Sequence, residues 1–318
     1  MGHVSIICVI NAVLLLLSGC SPSSGGNPPT SQIDDPSTTP SFVPANSSGV
    51  PERTTFGRPS EPTEPRLHTA TPSEPGTTAA PKVSSTSHGK RTPIVGGYEQ
   101  VVYGATEEES KVATVIALHG RNGNFRDLFS LGEATWHQSL GNRVKFIYLK
   151  SPPSGEWFRF KSASPLQMMA DISRGTEIAD LDSLCDAIAP LESLIDQEAQ
   201  SLGTHKKVYL LGYSQGGMMA LWHGLKTTNP LGGVIAINSA VPVVNMMAHA
   251  FPTCSTKPIV HFHGTNDTIV PPNFAQRGHE LAQRAGCSDY SLQLSPGGHD
   301  MSHHVGNQVN AWLINHIP

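Results

Sequence analysis

The chain has 318 residues and a formal net charge of −4 with no long basic run, which excludes an electrostatic nucleic-acid surface. Fourteen of its 26 prolines precede Ile94, and residues 21–91 hold only two aromatics, Phe42 and Phe56. A stretch so rich in Ser, Thr, Pro and Gly cannot bury enough apolar surface to offset its ordering entropy; it reads as a disordered tether and leaves residues 92–318 as one α/β domain.

The first twenty residues, MGHVSIICVINAVLLLLSGC, set an apolar core of roughly 14 residues before small ones. That is short for a membrane span and suits a secretory signal. Leu17-Ser18-Gly19-Cys20 resembles a bacterial lipobox, which would attach the chain to a membrane through a lipidated Cys20. The segment before the core lacks Lys and Arg, so a plain signal cut near Cys20 is the competing expectation. Both place the domain outside the cytosol, either secreted or membrane-anchored. Cys185, Cys254 and Cys287 would remain in the domain, enough for one disulfide and one thiol, with the pairing open.

From Tyr98 onward short β-rich runs alternate with helical patterns. Strands are expected at Glu99–Tyr103, Ala113–Leu118, Val144–Leu149, Lys207–Leu211, Gly233–Ile237, Ile259–Phe262 and Ser291–Leu294. Helices are expected near Phe125–Leu140, Gly175–Leu202, Gly216–Thr227, Phe274–Ala285 and Ser302–His316, with Pro190 starting or kinking the second half of the long one. Runs such as TVIAL and GVIAI are apolar without alternation, as strands covered on both faces are. The pattern predicts a doubly wound, mostly parallel sheet whose ligands collect beyond the strands' carboxyl ends.

At one such end an apolar strand hands over to a helix through Gly212-Tyr213-Ser214-Gln215-Gly216-Gly217. Glycines on either side of a tight turn leave Ser214 at its apex and aim the Gln215 amide at a developing oxyanion. A serine nucleophile needs a base and an orienting acid. In KPIVHFHGTNDTIVP a strand runs into a loop carrying Asp267, and in LQLSPGGHDMSHHV another runs into a loop carrying His299. Asp289 precedes a strand, Asp300 adjoins His299, and His303 and His304 fall where a helix starts, so all four are poorer candidates. A second oxyanion donor should follow an early strand; in TVIALHGRNGNF it is the backbone N–H of Arg121.

Together these pieces resemble the acyl-protein thioesterase and carboxylesterase family, also called the phospholipase/carboxylesterase family. The likeness runs through Leu118–Gly120, Trp157-Phe158, Leu194–Gly203, the Ser-Gln-Gly-Gly elbow, HGTNDTIVP, and His299 followed by Trp312. It implies an α/β-hydrolase fold, a triad of Ser214, Asp267 and His299, oxyanion donors Gln215 and Arg121, and no metal or organic cofactor. It also implies a small ester or lipid-like acyl substrate. Trp157 and Phe158 are expected to line the acyl pocket or else to be core aromatics. The chain departs from the family pattern at Arg121-Asn122-Gly123-Asn124, which replaces a second Gly-rich turn.

Rival signals are weaker. Ile94-Val95-Gly96-Gly97 is similar to an activated trypsin-like amino terminus, but that family orders its triad His, Asp, Ser. His299-Asp300-Met301-Ser302-His303 mimics a zinc-binding helix, yet Gly297-Gly298 puts His299 in a loop; His261 and His263 are another conceivable ligand pair. A non-enzymatic surface protein with a silent hydrolase fold would have no reason to keep all three triad roles. Asn266-Asp267-Thr268 matches a glycosylation sequon, and because a glycan there would obstruct Asp267, Asn266 is expected to carry none.

Overall fold

Unbroken apolar runs become strands with no solvent-facing side. All six residues of β3 (Ala113–Leu118) and all five of β6 (Gly233–Ile237) are buried. The computed structural model describes residues 90–92, 98–105, 111–162, 164–174, 176–242 and 257–318. The signal segment, Cys20, the tether up to residue 89, Ile94-Val95-Gly96-Gly97 and Cys254 lie outside the described residues.

Among the described residues eight strands form one sheet: β1 (Lys90–Thr92), β2 (Gln100–Gly104), β3, β4 (Val144–Leu149), β5 (Val208–Tyr213), β6, β7 (Ile259–Gly264) and β8 (Tyr290–Ser295). Their spatial order is β1-β2-β4-β3-β5-β6-β7-β8. The first two are antiparallel to their neighbours and the other six are mutually parallel. The sheet therefore starts at Lys90, slightly before the expected domain boundary.

Among the described residues seven α-helices accompany the sheet: α1 (Phe125–Ala134), α2 (His137–Leu140), α3 (Pro165–Arg174), α4 (Leu181–Leu202), α5 (Gln215–Lys226), α6 (Pro272–Arg284) and α7 (His303–His316). One core layer joins Ile116, Leu118, Leu210, Val234 and Ala236 to residues of α4, α5 and α6. The other joins Val115, Ala117, Leu211, Ile235 and Ile237 to α1, α2 and α7. Helices on both faces of a mostly parallel sheet define the expected architecture. The strand order reverses between β3 and β5, which brings the loops leaving these two strands side by side.

The helix expected over residues 125–140 is two helices. Gly132 packs so closely that an added Cβ would sit 2.6 Å from His137 Nε2 and 2.7 Å from both Trp136 Nε1 and the Tyr148 hydroxyl. Breaking the helix lets Trp136 donate to that buried hydroxyl at 3.1 Å and lets His137 bond to it at 2.5 Å. The long helix starts at Leu181, not near Gly175, because Ile178 and Ala179 donate their amides to Pro242 O; Asp180 then caps the helix by accepting from the Ser183 amide at 2.9 Å. It runs unbroken through Pro190. Helix α3 was not expected; its proline at the first position was the available signal.

At the strands' amino ends Glu198 of α4 is buried and fully engaged. It accepts from Thr114 Oγ1 at 2.8 Å, Lys111 Nζ at 3.2 Å and Lys145 Nζ at 2.5 Å. Burial alone would raise its pKa; the Lys145 hydrogen bond and charge, Thr114 and Lys111 outweigh that and hold it below the ordinary value. Cys185 and Cys287 are both disulfide-bonded, so neither is the leftover thiol.

Candidate active site

The turn after β5 is built by close approach. A Cβ on Gly212 would lie 2.4 Å from Gly216 O, and one on Gly216 would lie 2.3 Å from Leu118 O. Both clashes are with backbone, so only glycine allows the elbow to fold on itself and against the end of β3. Ser214, at the apex, has φ 52° and ψ −118°, a conformation that costs an L-residue on the order of 1–3 kcal/mol. Surrounding bonds hold it there: Ser214 N–H donates to Ile237 O at 2.9 Å, Ser239 Oγ donates to Ser214 O at 2.9 Å, and Met218 N–H begins α5 on the same carbonyl at 3.0 Å. Ser214 Oγ makes no capping bond to its own helix, which leaves the hydroxyl for another partner.

That partner is His299. Its Nε2 lies 3.0 Å from Ser214 Oγ, and its Nδ1 lies 2.7 Å from Asp267 Oδ2. A carboxylate only accepts, so Nδ1 carries the proton and Nε2 is left to accept the serine proton. The structure thus brings the three expected side chains from the ends of β5, β7 and β8 into one row. Asp267 Oδ1 accepts from the amides of Ile269 and Val270, each at 2.9 Å. Burial alone would raise the Asp267 pKa; the His299 hydrogen bond, the two amides and the His299 charge outweigh it and keep the carboxyl below its ordinary value.

The expected oxyanion donor Arg121 lies in the loop after β3. His119 is buried; burial lowers its pKa, its Nδ1–H donates to Gly120 O at 2.7 Å, and its Nε2 accepts from Ser151 N–H at 3.1 Å. Gly120 sits so near the elbow that its missing Cβ would be 3.3 Å from Ser214 Cβ. Asn122 then turns through φ 56° and donates its amide to Gly155 O at 2.7 Å. Between Gly120 and Asn122, the Arg121 amide has no acceptor among the described residues, and neither has the Gln215 amide at the amino end of α5. The Arg121 side chain points elsewhere, bonding Glu156 Oε1 through Nε at 2.7 Å.

The side chain of Gln215 makes contacts that sequence reading missed. Its side chain is buried, accepting from Trp157 N–H at 3.1 Å and donating to Phe158 O at 2.8 Å. Trp157 and Phe158 are core residues, 3% and 2% exposed, with Trp157 Nε1 donating to His119 O at 2.7 Å. Tyr213 was also missed: its hydroxyl donates to His299 O at 2.9 Å and its ring leans on the imidazole. Burial raises that phenol to about 12, so it stays a donor.

The poorer candidates lie elsewhere. Asp289 is exposed ahead of β8, and His303 and His304 are exposed on the first turn of α7. His261 and His263 are buried and engaged with Tyr290, Ser239 and Val270, and no group of three potential metal ligands occurs among the described residues.

Comparison with known proteins gives a consistent picture. Residues 98–317 match the family model described as phospholipase/carboxylesterase. The chain is similar to acyl-protein thioesterase 1 of Gibberella zeae, 28% identical over 220 residues that cover 65% of this chain and 91% of that protein. It is similar to carboxylesterase SOBER1 of Arabidopsis thaliana, 29% identical over 136 residues covering 42% of this chain and 59% of that protein. Among solved structures it shares its fold with Arabidopsis thaliana SOBER1, at TM-score 0.55 and 22% identity, covering 65% of this chain and 99% of that one. The Bacillus cereus carboxylesterase superimposes at TM-score 0.54 and 19% identity, with 69% and 94% coverage.

Proposed function

The chain belongs to the phospholipase/carboxylesterase family and is a hydrolase of ester bonds of the carboxylesterase and acyl thioesterase type; from that premise we propose serine acyl transfer on carboxylic esters, carried by Ser214, His299 and Asp267. The observation that carries this reading is the row from Asp267 Oδ2 through the His299 ring to Ser214 Oγ, at 2.7 and 3.0 Å.

In it, Ser214 Oγ attacks the carbonyl carbon while its proton moves to His299 Nε2. The imidazolium so formed is held through Nδ1–H by the Asp267 carboxylate. The carbonyl oxygen takes up the electron pair against the Gln215 and Arg121 amides, and the amino end of α5 adds its partial positive charge. Collapse expels the alcohol with the proton from His299 and leaves an acyl-Ser214. Water, deprotonated by His299, repeats the sequence and frees the acid. Trp157 and Phe158, buried in the core, brace Gln215 and the His119 carbonyl from behind the proposed oxyanion site.

The test is hydrolysis of a short p-nitrophenyl ester. Ser214→Ala should abolish turnover and labelling by a fluorophosphonate, and an active Ser214→Ala enzyme would refute the reading. Thioesters or lysophospholipids are the runner-up substrates, the former favoured by the thioesterase names of the relatives. A chain-length series of matched esters and thioesters decides between them: higher kcat/KM on long thioesters would displace carboxylic esters.

We further propose that the enzyme works outside the cytosol, secreted or held through a lipidated Cys20. The disulfide-bonded Cys185 and Cys287 support an oxidising compartment. Recovery of the chain from an exporting host with Met1 intact and its cysteines reduced would overturn this.

A further inference from the structure

Strand β6 contributes none of the three triad side chains, yet its carboxyl end touches all three segments that do. Ile237 O receives the Ser214 amide, and Ser239 Oγ holds the Ser214 carbonyl. Between them stands Asn238, with φ 45°, one of three non-glycine residues with positive φ among the described residues; another is Ser214 itself. Asparagine tolerates this region better than other L-residues, but a strained position persists only where its surroundings require it.

The side chain of Asn238 shows what requires it. Its Nδ2 donates to Asp300 O at 2.7 Å and Gly298 O at 3.2 Å, the two carbonyls that flank His299. Its Oδ1 accepts from Gly264 N–H at 2.9 Å, and Gly264 O in turn receives the Asp267 amide at 3.2 Å. The orientation of the carboxamide is unambiguous, because carbonyls only accept and an amide N–H only donates. One side chain therefore grips the base-bearing loop with one arm and the root of the acid-bearing loop with the other, while its neighbours grip the nucleophile.

We propose that Asn238 is a positioning residue for acyl transfer: it sets the His299 loop against the Asp267 loop and holds their shared hydrogen bond in line with Ser214. This rests on the triad reading above. The loops are joined elsewhere by the Thr265 amide on Ser295 O at 2.9 Å and the Asn266 amide on Gly297 O at 2.8 Å, so losing Asn238 loosens the alignment without releasing the loops. A misplacement of about 1 Å between reacting groups costs up to about 10²-fold in rate.

Two variants separate the side chain from the backbone strain. Asn238→Gly removes both arms and suits positive φ, while Asn238→Ala removes the arms and keeps the strain. With a short p-nitrophenyl ester, both should lose kcat by about 10- to 100-fold with KM within about threefold, and the rate of fluorophosphonate labelling should fall in parallel. Asn238→Gly should also melt within a few degrees of the parent. Wild-type kcat in a folded Asn238→Gly would overturn the proposal, and so would a loss that only follows the unfolded fraction. Ser214→Ala, run alongside, keeps the two ideas apart. If it stays active the triad reading fails; if it is dead while Asn238→Gly is fully active, only the role of Asn238 fails.

Discussion

Gly216→Ala tests whether backbone packing at the elbow sets the reacting geometry. The new Cβ would stand 2.3 Å from Leu118 O, 2.5 Å from His119 O and 2.6 Å from Leu118 C. Contacts under 3.0 Å are essentially never seen for real Cβ atoms, so α5 and the end of β3 must separate by about 0.7 Å. None of the crowded atoms belongs to a side chain that could rotate away. The segment that moves leads into the Arg121 amide, and the segment it leaves carries Ser214. A displacement of this size at a reacting centre costs roughly 10²-fold in kcat. Overpacking removes roughly 1–3 kcal/mol of stability, which for a domain of this size lowers the melting temperature by roughly 2–12 °C. Steady-state kinetics on a p-nitrophenyl ester and a thermal melt measure the two effects. Gly224→Ala is the control: it lies further along α5, and its Cβ would meet the Val234 side chain at 2.6 Å, well away from Ser214. It should keep kcat. A folded Gly216→Ala with kcat within twofold of the parent would refute the reasoning.

Other outcomes follow from the same contacts. Asp267→Asn should lower kcat by about 10⁴-fold with KM nearly unchanged, since an amide offers His299 no stabilising charge and can turn an N–H toward Nδ1; ester kinetics check this. Glu198→Gln should lower stability at neutral pH by about 3–5 kcal/mol by leaving the Lys111 and Lys145 ammonium groups without their counter-charge, as urea unfolding would report. The folded pKa of Glu198 lies below its ordinary 4.5, so its contribution is complete above that value and is lost as pH falls through the folded one. The parent should therefore lose stability in acid more steeply than Glu198→Gln, and parallel slopes would show that this carboxylate is not the group responsible.

The local chemistry was legible because it rests on short-range rules. A glycine-flanked serine after an apolar strand can do little else than turn sharply, and strands buried on both faces must be uniformly apolar, as β3 and β6 are. An acid and a histidine, each just past a strand, could be matched to Ser214 by order alone. The helix boundaries were less legible. Helix α1 stops at Ala134 because Trp136 and His137 find the Tyr148 hydroxyl across the core, and the start of α4 is delayed by the carbonyl of Pro242, far away in sequence.

Sequence by itself determined the fold class, the elbow and the three side chains of the row, since each follows from residue type and neighbouring pattern. Tertiary structure alone decided what aligns them. Nothing near Asn238 in the chain reveals that its carboxamide meets Gly264, Gly298 and Asp300, or that Gln215 reaches back to Trp157 and Phe158. Those bonds join segments separated by 26 to 62 residues, and only the side-by-side parallel order of β4, β3, β5, β6, β7 and β8 brings the loops beyond their carboxyl ends within hydrogen-bond reach.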